Sequence, residues 1–172
     1  MRKQLKEAVE HLTFAVYMCL KQASEGRKFM FEHPFSASSW QLALVNQLLF
    51  LDGAERVNFD FCALGMTIEE NGMPTPVKKR TSVVANSKML IQALRMKQCK
   101  GDHTHANTMG GKIKQCQVYP PAFCSLLQAH VYREGQVLHG FFELFAHFAS
   151  ISLFQRQVLE SAEHRARWEH DE

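Results

Sequence analysis

The residues most informative about the fold are 28–53, which read KFMFEHPFSASSWQLALVNQLLFLDG. The apolar run that opens them predicts a short buried strand. This strand should end at Glu32, because Pro34 cannot join the hydrogen-bond ladder of a central strand. Serines then offer N-caps to a helix that should reach Asp52-Gly53. The apolar side chains of this helix recur at helical spacing, at Trp40, Leu44, Leu48 and Leu51.

The same strand–helix alternation continues on both sides of this unit. The pattern predicts helices at 3–24, 88–97 and from Pro120-Pro121, strands at 56–62 and 81–85, a loop or hairpin at 65–76 and a long loop at 98–119. Strands that alternate with helices indicate an α/β domain with a mainly parallel sheet. With about three strands, this sheet is expected to be a partial, Rossmann-like one that belongs to a larger sheet.

Composition and length favour one folded domain with a tail. The chain has 172 residues, of which 46% are hydrophobic, a balance typical of globular proteins. The predicted domain covers 1–131, and 132–172 form a tail with one long amphipathic helix from Gln136 to about Trp168. The broad apolar face of this helix carries Leu138, Phe141, Phe142, Phe145, Phe148, Ile151 and Phe154.

The compartment follows from what the chain lacks and from its cysteines. No apolar run reaches the roughly 18 to 20 residues of a membrane span, and acidic residues follow the basic start where a signal peptide needs its apolar core. Five cysteines are odd in number and widely spaced, which favours reduced thiols or metal ligands over disulfides. The sequence therefore predicts an intracellular protein, cytoplasmic or nuclear, without a membrane partner.

Positive charge is concentrated in the middle of the chain. Residues 76–115 contain nine Lys or Arg and one acid, a net charge of +8, whereas the whole chain carries +3. Clustered cations can neutralise the phosphates of a nucleic acid. The alternative is an ordinary solvated surface.

A possible metal site lies in the same region. Cys99, His103 and His105 offer a thiolate and two imidazoles within seven residues, and this donor set suits zinc. A fourth ligand is missing locally, and Cys116 is the nearest candidate in the sequence. The alternative is a polar loop that holds no metal.

Three pairs of stretches carry a resemblance to a known family. In chain order they are FMFEHP (29–34) with ASSW (37–40), DFCALG (60–65) with VKKRTSVVANS (77–87), and CKGDHTH (99–105) with QVYP (117–120) and Cys124. Together they resemble a segment of copia-type retrotransposon polyproteins of protists and fungi, which is in turn similar to the second half of phage-type and bacterial cytosine-5 DNA methyltransferases. The resemblance covers about residues 5 to 130.

The resemblance implies roles for several residues. Glu32 matches the glutamate with which these methyltransferases contact a flipped cytosine, although His33 and Pro34 stand where Asn and Val or Pro are usual. The alternative for Glu32 is to cap the following helix or to pair with a cation. The segment Lys78, Lys79, Arg80 and Thr81 matches a region near the DNA, with Arg80 in place of a proline, and Cys62 becomes a second candidate for the fourth zinc ligand.

The chain lacks the catalytic parts of these methyltransferases. None of the five cysteines follows a proline, and the chain has no Gly-rich loop between a strand and a helix to hold S-adenosylmethionine. The sequence therefore predicts a retrotransposon-derived, methyltransferase-like fragment that is inactive alone and would use S-adenosylmethionine only with an upstream half.

Two other functions are consistent with the residues. One is a nucleic-acid-binding module that uses residues 76–115, with or without zinc to stabilise it. The other is an independent enzyme with Glu32 and His33 or His103 as acid and base, which has less support because no nucleophile is positioned beside them. The expected partners are nucleic acid, an upstream half-domain, or a second copy bound through the Phe-rich tail.

Overall fold

The computed structural model describes residues 2–107 and 116–133 and combines α-helices with two small sheets. The helices are α1 (Arg2–Ser24), α2 (Ala43–Asn46), α3 (Lys88–Arg95) and α4 (Pro121–Arg133). The strands are β1 (Met30–Pro34), β2 (Glu55–Asp60), β3 (Thr67–Glu70), β4 (Met73–Pro76) and β5 (Arg80–Ala85). Helices of the 3₁₀ type lie at Ser38–Gln41, Gln47–Phe50 and Phe61–Leu64. The α/β class is confirmed for this part of the chain.

The main sheet is antiparallel, so the prediction of a mainly parallel sheet is wrong. Its order is β1-β5-β2, and β5 pairs antiparallel with both neighbours. The hairpin of β3 and β4 lies between β2 and β5 in sequence, and β5 returns alongside β2 in the opposite direction. Five consecutive residues of β5 are buried, because both faces of the sheet are covered, and such an apolar run reads like a strand of a parallel sheet.

The strand and helix of residues 28–53 also differ from the prediction. Strand β1 continues through Pro34, which pairs with Thr81. The proline is tolerated because β1 lies at the edge of the sheet, where one side of the strand needs no partner. The predicted helix is broken by Leu42, whose backbone is extended, into two 3₁₀ helices and one short α-helix. Its apolar pattern still identifies buried side chains, since Trp40 and Leu48 are in the core.

The sheet separates two hydrophobic cores. On one face, Val57, Phe59 and Val83 pack with α3 and α4, and the rings of Phe59 and Phe123 stack with their centroids 5.6 Å apart. On the other face, Phe31 and Val84 pack with α1 and the irregular segment around residues 38–50. Layers on both faces bury most of this small sheet.

Several local predictions are confirmed. Asn71 and Gly72 have positive φ angles of 54° and 76° at the turn of the β3–β4 hairpin, as a tight hairpin of this type requires. The Ser87 side chain accepts a hydrogen bond from the Leu90 amide and caps α3. Helix α4 begins at Pro121. The predicted tail helix lies outside the described residues, and none of the described helices has both the length and the apolar composition that crossing a membrane requires.

Candidate metal centre

The end of β2 presents the first cysteine of the centre. A 3₁₀ helix, Phe61–Leu64, follows the strand directly and ends at Gly65, whose φ of 79° is the left-handed conformation that glycine adopts readily. The Phe61 amide donates to the Lys79 carbonyl at 3.1 Å, which ties this turn to the segment that leads into β5. Cys62 is therefore held on a short, constrained turn at one end of the main sheet.

The loop after α3 brings the other donors to the same end. The Asp60 amide donates to the Lys97 carbonyl at 2.8 Å, and the Cys99 amide donates to Asp60 Oδ2 at 3.0 Å. At the far side of the loop, the Ala106 amide donates to the Pro76 carbonyl at 2.8 Å. The segment between Cys99 and Ala106 is thus fastened to β2 at one end and to β4 at the other.

Four side chains converge between these anchors. The donor atoms of Cys62, Cys99, His103 and His105 all lie within 4.8 Å of one another. The sulfur of Cys99 lies 3.3 Å from Nε2 of His105 and 3.8 Å from Nε2 of His103. These four residues, here called the Cys2His2 cluster, could hold a metal ion.

The spacing of the cluster suits tetrahedral zinc. Bonds of about 2.3 Å to sulfur and about 2.0 to 2.1 Å to nitrogen place the ligand atoms of such a site about 3.3 to 3.8 Å apart. Both measured sulfur–nitrogen distances of Cys99 fall in this range. The donor atoms need to move by about 1 Å or less to reach one ion, given their largest separation of 4.8 Å.

The second nitrogen of His103 has a partner of its own. Its Nδ1 lies 2.8 Å from Oδ1 of Asp102, and a carboxylate in this position orients an imidazole so that Nε2 faces a metal. The hydrogen bond with His103 lowers the pKa of Asp102, so the carboxylate stays charged. Asp102 therefore fixes the ring in the orientation that a ligand needs.

Burial and neighbouring charges set the protonation of the donors. Burial and, to a smaller extent, the adjacent Cys99 thiol together raise the pKa of Cys62 to about 11. Desolvation lowers the pKa of His105, and the nearby His103 and Lys78 reinforce the effect. His105 thus favours the neutral form, which is the form that binds a metal.

The fourth residue of the cluster is Cys62 and not Cys116, although Cys116 is nearer to the other three in the sequence. Cys116 is 2% exposed and belongs to the hydrophobic core on the α3 and α4 side of the sheet. It is 11 residues after His105 in sequence, but its side chain packs away from the cluster. The candidate from the retroelement resemblance is therefore the one that the structure brings to the other three.

The basic segment 78–81 divides into exposed and buried parts. Lys78 and Arg80 are exposed, whereas Thr81 is fully buried. The Lys79 ammonium turns inward, 5.0 Å from the centroid of the Phe61 ring and 5.5 Å from that of Tyr119. Two of the four predicted nucleic-acid contacts therefore face solvent.

Glu32 lies inside the protein, where Tyr119 donates a hydrogen bond to it and the charge of Lys79 acts on it. Its side chain is 3% exposed, and Oε2 accepts a hydrogen bond of 2.8 Å from the Tyr119 hydroxyl. Burial raises the pKa of Glu32, while the charge of Lys79 and the Tyr119 hydrogen bond lower it. The neighbouring His33 is also buried, and desolvation lowers its pKa to about 4. The charge of Lys79 is consistent with the cation alternative for Glu32, although these two described side chains form no ion pair.

Asp60 and Tyr119 have structural roles that the sequence did not predict. Asp60 holds the Cys99 end of the loop, and Tyr119 donates a hydrogen bond to one carboxylate oxygen of the buried Glu32. Both stand in stretches that carry the retroelement resemblance, DFC at 60–62 and QVYP at 117–120. Their place in these stretches could have singled them out, but it does not reveal which partner each residue contacts.

Comparisons with known proteins add no family to this geometry. No protein-family model, no curated protein and no solved structure matches the chain. The retroelement and methyltransferase resemblance therefore stays a prediction that rests on its motifs. What the site can do is decided by its own donors, charges and distances.

Proposed function

We propose that this protein is a small nucleic-acid-binding module whose binding loop is ordered by one zinc ion. The observation that carries the proposal is the Cys2His2 cluster, with four donor atoms within 4.8 Å of one another. Two thiolates and two imidazoles form a ligand set that occurs in structural zinc sites. The ion would join the turn after β2 to the loop after α3.

The proposed zinc is structural rather than catalytic. Four protein donors fill a tetrahedron, whereas a catalytic zinc keeps one position for water or substrate. The loop that carries three of the donors, residues 99–105, has no helix or strand of its own. A metal that bridges such a segment contributes directly to its folding energy.

Cations beside the cluster support a nucleic acid as the partner. Lys78 is exposed and close enough to His105 to lower its pKa. Arg80 is exposed two residues later. These side chains belong to the region with a net charge of +8, and clustered cations of this kind bind phosphates through the release of counterions. Zinc would hold the loop in place next to them.

The salt dependence of binding tests this proposal. We expect the zinc-loaded chain to bind oligonucleotides at low salt and to lose affinity steeply as salt rises. Replacing Lys78 and Arg80 together with Gln should reduce the slope of log K against log salt by about 1.4 to 1.8, at roughly 0.7 to 0.9 per phosphate contact. Fluorescence anisotropy across a salt series measures this slope.

The matched control removes two cations from α1. The Lys6→Gln and Lys21→Gln double variant has the same change in charge and should keep the slope of the parent chain. If both double variants change the slope equally, residues 78–80 have no special place in the interface. If the parent chain does not bind at low salt, the proposed function is rejected.

A fragment of a retroelement-derived, methyltransferase-like domain remains the second candidate. Its support is the order of the three pairs of stretches between residues 29 and 124. The antiparallel main sheet lends no support to the Rossmann-like part of that hypothesis. In this reading the chain would bind nucleic acid as a remnant of a larger domain, and S-adenosylmethionine would require an upstream half.

This candidate makes its own prediction about activity. We expect no transfer of labelled methyl from S-adenosylmethionine to cytosine-containing DNA by this chain alone, because a Pro-Cys nucleophile is absent from the sequence. A complete cytosine-5 methyltransferase in the same assay is the positive control. Methyl transfer above background by the purified chain would show that this expectation is wrong.

A further inference from the structure

An open groove lies on the side of the main sheet that carries Trp40. Its volume is about 540 Å³, within the roughly 300 to 1,000 Å³ typical of sites for small ligands. None of the described residues that line the groove is acidic. A basic side chain in the groove therefore has no carboxylate of the lining to pair with. The lining residues are Phe35, Ser36, Ala37, Trp40, Gln41, Arg56 and Asn58.

Arg56 is fixed in one orientation in this groove. Its guanidinium lies 4.0 Å from the centroid of the Trp40 ring, and Nη2 donates to Ser82 Oγ at 2.9 Å and to the Phe35 carbonyl at 3.3 Å. Its Nε is buried and has no hydrogen-bond partner among the described residues. A preorganised guanidinium without a carboxylate partner is well suited to an anion with several oxygen acceptors, such as a phosphate.

Two other residues complete the groove. The Ser82 hydroxyl donates to Oδ1 of Asn58 at 2.6 Å, which directs the amide N–H groups of Asn58 away from Ser82. The Phe35 ring is 39% exposed, and the Arg80 guanidinium covers one side of it at 4.3 Å from the centroid. The groove therefore combines a fixed cation, an amide donor and an aromatic ring beside a second cation.

We propose that this groove holds one nucleotide of a single-stranded nucleic acid, with the phosphate on Arg56 and the base on the Phe35 ring. The proposal rests on the function proposed above and specifies the form of nucleic acid. Bases of a single strand are free to stack on an aromatic side chain, whereas those of a duplex are stacked on one another. Arg80 links the groove to the basic segment, since it lies over Phe35 and directly follows Lys79.

The test compares single and double strands on variants of the groove. Binding of a labelled 12-nucleotide oligo-dT and of a 12-base-pair duplex is measured on the zinc-loaded chain. Phe35→Leu should weaken single-strand binding on the order of tenfold, the effect of removing one base–aromatic stack, and should leave duplex binding unchanged. Phe50→Leu is the matched control, because Phe50 is 88% exposed and lies outside the groove.

A second variant examines the cation. Arg56→Gln should also weaken oligo-dT binding, and circular dichroism shows whether this variant keeps its fold. Should it unfold, the result for Phe35→Leu decides alone, because the exposed ring can be shortened with little effect on the core. Thymidine 5′-monophosphate should bind more weakly than the oligonucleotide, and equal affinity per site would overturn the assignment to a strand.

The outcomes separate this inference from the proposed function. If the parent chain binds oligo-dT and Phe35→Leu binds it equally well, the groove is not the site, while the nucleic-acid-binding module stands. An equal loss for duplex and single strand also overturns the inference. If the parent chain binds neither nucleic acid at low salt, both proposals are rejected.

Discussion

Replacing Cys99 with Ala should remove zinc from the chain and lower its free energy of unfolding by about 4 kcal/mol or more, the size of effect that follows loss of a structural metal. Cys99 contacts both histidines of the cluster, at 3.3 and 3.8 Å, so its loss leaves no adequate ligand set. Urea denaturation and metal analysis of the purified protein measure the two effects. Limited proteolysis should also become faster between Lys97 and Lys114.

A cysteine outside the cluster provides the control. Cys124 is exposed, and Cys124→Ala should keep one zinc per chain and the stability of the parent. A chelator should destabilise the parent and Cys124→Ala but change Cys99→Ala little, because that variant has no metal to lose. Equal stability of Cys99→Ala and Cys124→Ala would show that the cluster contributes nothing to folding.

Replacing Lys79 with Met should have the next largest effect, a loss of about 1 to 3 kcal/mol of unfolding free energy at neutral pH. The reason is Glu32, which is 3% exposed and whose pKa is lowered by the charge of Lys79, so the variant makes the ionised form of Glu32 less favourable. Lys78→Met is the matched control, since Lys78 is exposed, and it should change stability by less than about 1 kcal/mol. Both are measured by urea denaturation.

The loss should depend on pH in a defined direction. Burial raises the pKa of Glu32 above its ordinary 4.5, so the folded state binds the proton more tightly than the unfolded state does. Stability from such a group is present below pH 4.5 and is lost as the pH rises through the raised value. Without Lys79 the pKa of Glu32 rises further, and the gap between Lys79→Met and the parent should widen from pH 4 to pH 8.

A double variant separates charge from packing. Adding Glu32→Gln to Lys79→Met removes the unpaired charge, and it should recover part of the stability and flatten the pH dependence of the difference. If Lys79→Met destabilises equally at pH 4 and pH 8, its effect comes from the packing of the lysine on Phe61 and Tyr119 instead.

Apolar runs located the strands in the sequence but could not give their direction. Residues 81–85 were recognised as a strand because β-branched residues follow one another, yet the same run suits a parallel strand and an antiparallel strand that is covered on both faces. The covering of β5 comes from α3 and α4 on one face and from α1 on the other, and both α1 and α4 are far away in sequence. Pairing direction depends on these distant elements and on the β3–β4 hairpin, and no local pattern records it.

The candidate metal site could be predicted only where its residues are close in sequence. Cys99, His103 and His105 lie within seven residues, and this spacing alone predicted that they could share one ion. The fourth donor, Cys62, lies 37 residues before Cys99 and meets the loop because Asp60 binds the backbone of Cys99. Distance along the chain favoured Cys116, which the packing of the core directs elsewhere.

Glu32 illustrates a different limit of sequence reasoning. Its place after an apolar run was consistent with a functional carboxylate at a strand end and with a buried ion pair. Tyr119 and Lys79, which decide between these environments, are 87 and 47 residues away. The chemistry of a buried acid depends on such partners, and sequence spacing does not identify them.

X-ray absorption spectroscopy at the zinc edge, on protein purified with its metal, tests the central proposal most directly. We predict one zinc per chain, with two sulfur ligands at about 2.3 Å and two imidazole nitrogens at about 2.0 to 2.1 Å. In Cys62→Ala the sulfur contribution should fall by half or the metal should be lost, whereas Cys116→Ala should retain the full set. A spectrum with only oxygen and nitrogen ligands, or protein that retains no zinc, would contradict the proposed Cys2His2 centre.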